Sequence, residues 1–320
     1  MEEERKLVAT TKDLIQREFP PVDFAVGYGS GFVVQSGYSL HQQKEVMMDL
    51  IFAVREPREW HEANILRNRE HYSFLASLGG RVVSFVQTGF GARIYYNPFV
   101  QVGEQRVKYG VIGMDDLLSD LRHWNTFYVS GRLQKPTKVL QENAEVEAAN
   151  QQNLHNALRM ALLLLPQQTV LTERQLYTTI ASLSYMGDVR MGWAEHKRKA
   201  ENIVTDRNVV AFRELYRRSL EEVEGVRCKF VEADGIMLEQ EEGEETRRRR
   251  VEALPLALQK NIIANPEVLS CQQRTAQQLR SNLQAITAKY SRAQTFKGLL
   301  TAGFSKSMIY ASQKLGKRWR

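Results

Sequence analysis

Three residues near the N-terminus have the types and spacing to handle a nucleotide. Gly29-Ser30 follows the apolar run Phe24-Ala25-Val26-Gly27-Tyr28, and Asp49 interrupts the next run, Met47 to Val54. A turn without bulky side chains lets backbone N–H groups and a serine hydroxyl approach triphosphate oxygens. A nearby carboxylate can hold the Mg²⁺ that bridges those oxygens. That is nucleotidyl-transfer chemistry in outline. Two plainer readings compete. Gly27, Gly29 and Gly31 can make an ordinary turn, or imitate a dinucleotide fingerprint, whose acid lies about 20 residues on. In that fingerprint the acid ends its strand, whereas Asp49 precedes Leu50-Ile51-Phe52-Ala53-Val54, which disfavours it. The phosphate turn and the plain turn both stay open at this level.

Farther along, Asp188 and Arg190 follow the Gly187 turn after an amphipathic helix. A carboxylate and a guanidinium there could reach across an interdomain cleft to metal or phosphate. The plainer reading is an ion pair at a helix end. Arg132 and Lys135 divide the same way, between phosphate clamps and surface cations. Among the six histidines His71 is the most interesting. Phosphoryl transfer relies on positioning and charge neutralisation, so a structural role is expected for it.

The elements that must position these residues follow from periodicity. Strands are expected at Phe24–Tyr28 and Met47–Val54, a helix over Trp60–Leu78, and strands at Val82–Val86, Arg93–Tyr96, Phe99–Val102 and Val107–Ile112, the last two joined by a hairpin at Gly103-Glu104. Asp115–Tyr128 reads as helix. Beyond it Glu145–Leu165, Thr172–Ser184 and Asn208–Leu220 are amphipathic, with Thr172 and Gln175 spaced as a capping box. The expected organisation is a mixed α/β domain over 1–140 and a small helical domain over 141–225. A charged, solvated linker over 226–254 and a helical region over 255–320 complete it.

With 320 residues, 43% of them hydrophobic and 25% charged, the chain is sized for about two globular domains and excludes a disordered or collagen-like protein. The longest apolar run, Met160–Leu165, is far shorter than the roughly 18 to 20 residues of a membrane span. Two cysteines outside any CxxC pattern exclude a disulfide framework and a zinc site, and suit a reducing compartment. The acidic first residues leave no room for a signal region, so a chain starting as a mature protein would is expected.

The net charge of +7 is unevenly placed. Residues 1–245 hold 29 Lys/Arg against 35 Asp/Glu, whereas 246–320 hold 15 against 2. From Lys297 to Arg320 there are six cations and no acid. Leu300, Phe304, Met308, Ala311, Leu315 and Trp319 fall within about 100° of a helical wheel. Lys306, Lys317 and Arg320 would face headgroups, although Lys297 and Arg318 fall inside the stripe and Ile309 opposite it. The pattern predicts an interfacial helix on an anionic membrane surface. A helix docked on the body and a nucleic-acid arm are the alternatives; an apolar stripe argues against the latter, so no nucleic acid is expected.

Several blocks together carry a resemblance. Tyr28-Gly29-Ser30-Gly31, Met48-Asp49-Leu50-Ile51-Phe52-Ala53-Val54, His71-Tyr72-Ser73-Phe74-Leu75, Lys108-Tyr109-Gly110-Val111-Ile112, Gly131-Arg132-Leu133-Gln134-Lys135-Pro136, Ser184-Tyr185-Met186-Gly187-Asp188-Val189-Arg190-Met191 and Leu315-Gly316-Lys317-Arg318-Trp319 stand in this order. They resemble the mitochondrial translocator assembly and maintenance family, the phosphatidate cytidylyltransferases of mitochondria and some bacteria. The resemblance covers nearly the whole chain and is weakest over 225–295. It implies an α/β nucleotidyltransferase-like domain, a winged-helix-like second domain and a membrane-associating C-terminus. The implied reaction joins CTP to phosphatidic acid with Mg²⁺, giving CDP-diacylglycerol and pyrophosphate for cardiolipin and phosphatidylglycerol synthesis. The implied location is the matrix side of the mitochondrial inner membrane, or the cytoplasmic face of a bacterial cell membrane.

Carried over by residue, the resemblance has Gly29 and Ser30 cradle the triphosphate, Asp49 bind metal, and Arg132, Lys135 and Arg190 contact phosphates. Asp188 becomes a further metal-site or phosphate-site carboxylate. Nucleotidyltransferases often present Asp-x-Asp, but position 51 is Ile51, so the second metal ligand is open. Two other functions stand as alternatives: a template-independent RNA nucleotidyltransferase, and a non-catalytic assembly factor for a membrane translocator.

Overall fold

The structure is a computed structural model that describes residues 2–33, 47–166, 170–188, 193–231, 235–241 and 243–302. Its first half is built on a mixed five-stranded sheet. After helix α1 (Glu2–Glu18) come β1 (Phe24–Tyr28), β2 (Met48–Val54), α2 (Pro57–Arg67), α3 (Gly79–Gly89), β3 (Ile94–Val102), β4 (Gln105–Gly113) and α4 (Met114–His123). A one-turn helix α5 (Ser130–Leu133) and strand β5 (Lys138–Gln141) close this half. The strand order is β3-β4-β2-β1-β5, with β2 parallel to β4 and the other neighbours antiparallel.

Alternation along β2 sorts the core into two layers. Leu50, Phe52 and Val54 pack with Phe19, Trp60 and Tyr109 on one face. Ile51 and Ala53 pack with Ile94, Ile112 and Leu117 on the other. Asp49 shares the parity of Ile51, so it belongs to the second face.

The second half is mostly helical. Helix α6 (Ala144–Leu164) leads to β6 (Val170–Thr172), α7 (Glu173–Leu183), α8 (Trp193–Ile203) and α9 (Asp206–Glu222); a hairpin of β7 (Val226–Val231) and β8 (Gly235–Gln240) follows. These strands form a small antiparallel sheet ordered β6-β8-β7. The Thr172–Gln175 capping box is present at the start of α7. Then come α10 (Glu244–Glu252), α11 (Leu256–Gln259), α12 (Pro266–Ser270) and the long α13 (Gln272–Ala302).

Several expectations are corrected. Val82–Val86 is not a strand but the middle of α3, because Gly80, Val83, Val86 and Gln87 recur at helical spacing on its buried side. The helix expected to reach Leu78 stops at Arg67 and gives way to two 3₁₀ turns. The strands at Arg93–Tyr96 and Phe99–Val102 are one strand with a register shift at Pro98-Phe99. The helix expected to run to Tyr128 ends at His123, where Trp124 turns left-handed.

The solvated linker is overturned most clearly. Arg247 and Arg250 are buried, with Arg247 donating to the carbonyls of Leu269 and Ser270 and Arg250 to Gln240 and the carbonyl of Gly225. Guanidinium donors satisfied by buried carbonyls make a polar run part of the core. The predicted interfacial helix falls largely on 303–320, outside the described residues. Its first residue, Lys297, is buried within the body.

Candidate functional site

Asp49 sits near the start of β2, directly opposite Tyr28 of β1 and Lys108 of β4. Lys108 Nζ donates to Asp49 Oδ1 at 2.9 Å. The other oxygen, Oδ2, points at the Gly29 turn: a Cβ built on Gly29 would lie 3.5 Å from it. Gly29 has φ +74°, a conformation that favours glycine. Gly29–Gly31 form one 3₁₀ turn with Ser30, half-buried, at its centre, and the carbonyl of Gly29 accepts from the N–H groups of Phe32 and Val33. The glycine loop and the aspartate are therefore neighbours.

A cavity of about 230 Å³ opens beside this turn. Tyr28, Gly29, Arg132 and Lys135 line it from the first half, and Ser184, Tyr185, Asp188 and Ser291 from the second. Arg132 lies 3.9 Å over the ring of Tyr128 and 5.6 Å from that of Tyr28, and it donates to the carbonyl of Tyr128. Those rings keep the guanidinium at the wall. Lys135 donates to Ser184 Oγ and lies 4.3 Å over the Tyr185 ring. Burial, then the charges of Arg132 and Lys199, pull its ammonium down to about 7. Two cations facing one cavity are poised for an anion that would relieve their repulsion.

Asp188 is buried and accepts from Ser291 Oγ at 2.9 Å. Gly187 before it has φ +79°, and a Cβ there would stand 2.7 Å from the carbonyl oxygen of Gln284. The Gly187-Asp188 loop is thus pressed onto α13. Arg190 lies outside the described residues.

The segment carrying Tyr128 and, in α5, Arg132 has its own anchor. Asp120, at the end of α4, accepts from the backbone N–H groups of Thr126, Phe127, Val129 and Ser130 and from Thr126 Oγ1, all at 2.8 to 3.0 Å. His71, by contrast, is on the other face of the sheet. Its Nδ1 lies 3.1 Å from Tyr109 Oη, in a buried network where Asn64 donates to Tyr72 and Tyr109 and His61 meets Tyr72. Burial pulls His61 down to about 4, so it is neutral. This is the structural histidine pair of a polar core.

Among the described residues no three His, Cys, Asp or Glu side chains gather as a closed metal cage. Mg²⁺ commonly takes one or two carboxylates and fills its remaining positions with water and substrate phosphates. Asp49, with Oδ2 open toward a glycine turn, has that chemistry.

Sequence reasoning missed Lys108, Asp120 and Ser291. Lys108 is a cation within the otherwise apolar Val107–Ile112, the same signal that marked Asp49. Ser291 is 103 residues from its partner, and no local pattern could find it.

Residues 11–317 match the family model described as phosphatidate cytidylyltransferase, mitochondrial. The chain belongs to this family. It is 38% identical to the mitochondrial phosphatidate cytidylyltransferase of Danio rerio over 94% of this chain and 92% of that protein. Identity to the Mus musculus protein of the same name is 39%, covering 96% and 94%. For Schizosaccharomyces pombe it is 37%, covering 93% and 80%. Family membership thus runs across both halves that wall the cavity. Among the described residues no helix is long and apolar enough to cross a membrane.

Proposed function

We propose that this chain transfers CMP from CTP to phosphatidic acid in the cavity between its two halves, giving CDP-diacylglycerol and pyrophosphate. The observation that carries the site assignment is the cavity wall itself: Gly29, Arg132, Lys135 and Asp188, drawn from separate parts of the sequence, face one space. On this reading the first half is a nucleotidyltransferase-like domain. The β6-α7-α8-α9-β7-β8 unit is winged-helix-like, a reading supported by its three helices and terminal hairpin.

The reaction forms a bond between a phosphate oxygen of phosphatidic acid and the α-phosphorus of CTP. The bond from that phosphorus to the β-phosphate bridging oxygen breaks, and its electron pair leaves with pyrophosphate. Gly29 and Ser30 would accept the triphosphate at the turn, where the absence of a side chain allows close approach. Arg132 and Lys135 would neutralise two anions that must meet, which is where most of the catalytic advantage of such sites lies. Asp49 would hold Mg²⁺ through Oδ2 while Lys108 fixes Oδ1. When bound, Mg²⁺ supplies further neutralisation of the triphosphate. Asp188, held by Ser291, would face the substrates from the opposite wall; Arg190 is assigned to the phosphates from its sequence position.

A basic C-terminus on an anionic bilayer would keep the cavity where phosphatidic acid resides, consistent with the mitochondrial names of the relatives. The inner membrane, matrix side, is the proposed surface. Pyrophosphate release tests the reading: it should require CTP, Mg²⁺ and phosphatidic acid together. Release that is indifferent to phosphatidic acid would contradict it.

A further inference from the structure

Two rows of side chains cross the sheet on the face that carries Asp49. Tyr28, Asp49 and Lys108 stand in register on β1, β2 and β4. The next row is Val26, Ile51, Gly110 and, on the edge strand β3, Tyr96. Gly110 leaves its place open: a Cβ there would lie 2.6 Å from Tyr96 Cε1, so the tyrosine ring lies over the glycine. From that position Tyr96 meets three groups of the site. Lys108 Nζ is 4.8 Å from its ring centroid, the hydroxyl of Tyr28 is 3.4 Å from its own, and the ring of Tyr128 stands edge-on at 6.3 Å.

Three strand spacings, about 14 Å, separate β1 from β3. Tyr28 and Tyr96 close that span with their hydroxyls, above the strands that carry Asp49 and Lys108. The two tyrosines thus join parts of the site that the backbone keeps apart. On one side is the Lys108 ammonium that tethers Asp49 Oδ1; on the other is the Arg132 guanidinium, kept in place by the rings of Tyr28 and Tyr128. Tyr28 lines the cavity, whereas Tyr96 is buried in the core layer with Ile51 and Ile94. Burial pushes the Tyr96 phenol well above its ordinary range, so the group is neutral. A neutral ring attracts Lys108 through its face without competing for it as a second carboxylate would, and Asp49 keeps the ion pair.

We propose that Tyr96 is a positioning residue for the transfer site, setting Asp49 through Lys108 and the phosphate clamp through Tyr28 and Tyr128. The inference rests on the cytidylyltransferase reading of the cavity, but it is tested on nucleotide binding with no lipid present. Calorimetry on the full chain measures CTP affinity across a Mg²⁺ series. Tyr96→Leu, which removes both the ring face and the hydroxyl, should raise the Mg²⁺ needed for half-maximal binding about fivefold and weaken CTP at saturating Mg²⁺ about threefold. Tyr96→Phe keeps the ring face and should bring the magnesium dependence back to within about twofold of wild type. Because the magnesium effect runs through Lys108, adding Tyr96→Leu to Lys108→Met should shift it further by less than about twofold.

Loss of packing alone gives a different pattern. Ile94→Ala, in the same core layer and opposite Ile112 of β4, should lower Tm while leaving the magnesium dependence within about twofold of wild type. Tyr96→Met, closer in volume, takes the same measurements should the leucine variant fail to fold. Wild-type magnesium dependence in a folded Tyr96→Leu, full additivity with Lys108→Met, or a Tyr96→Phe defect equal to that of Tyr96→Leu would overturn the proposal. The expected binding pattern in a wild-type chain that transfers no CMP to phosphatidic acid would sink the enzymatic reading and leave Tyr96 its role at the nucleotide site. Absence of any magnesium-dependent CTP binding in the wild type would overturn both.

Discussion

Asp49 and Lys108 stand in register on the parallel neighbours β2 and β4, with Lys108 Nζ 2.9 Å from Asp49 Oδ1. The pair divides the carboxylate: one oxygen is tethered, and the other is open toward Gly29. Asp49→Asn should therefore lower CMP transfer by at least about 100-fold. Lys108→Met leaves the carboxylate but frees its orientation, and a loss of about tenfold is expected, with more Mg²⁺ needed for half-maximal rate. Magnesium titrations of both variants check this; a Lys108→Met enzyme with wild-type magnesium dependence would contradict it.

Lys135 makes the pH dependence specific. With its ammonium near 7, the empty enzyme carries this cation below neutrality and loses it above. A polyanion binds the protonated form better, so kcat/KM for CTP should fall as pH rises through 7, by at most about tenfold per unit. Lys135→Arg stays charged throughout and should remove that limb. Comparing the two pH profiles in the same buffers isolates this residue from the titration of the substrates.

Asp120 illustrates what was and was not legible in the sequence. The Gly29 turn, the strand around Asp49 and the long helices announced themselves through glycine placement and periodicity. Val82–Val86 did not, because a β-branched run reads as strand until Gly80 packs onto Glu62 of α2 and fixes a helix. Arg247 and Arg250 read as solvated because charge runs usually are; the carbonyls that receive them, at Leu269 and Gly225, belong to distant segments. Asp120 looked like one more acid on an amphipathic helix, and only the fold shows five donors converging on it.

Replacing Asp120 with Asn turns one acceptor into a donor facing backbone N–H groups. A loss of about 3 kcal/mol in stability is expected, together with a raised KM for CTP as Tyr128 and Arg132 shift. Thr126→Val removes a single bond of the five and should cost only about 1 kcal/mol. Thermal unfolding of both, with CTP kinetics on the folded enzyme, tests the order.

Gly187→Ala meets both a left-handed backbone and the carbonyl of Gln284 at 2.7 Å. The substitution should destabilise by about 2 kcal/mol and loosen the Asp188–Ser291 contact, so transfer should fall even where the fold survives. Ser291→Ala gives the control: it removes the hydrogen bond with no steric push, and should reproduce the kinetic defect with a smaller drop in Tm.

The most direct measurement uses CTP labelled either at its α or its γ phosphorus, incubated with Mg²⁺ and vesicles containing phosphatidic acid, then extracted with organic solvent. Attack at the α-phosphorus within the Gly29–Asp49 site sends the α label into the lipid phase and leaves the γ label in water as pyrophosphate, and Asp49→Asn abolishes the transfer. Label from the γ position in the lipid, or undiminished transfer by Asp49→Asn, would contradict the account.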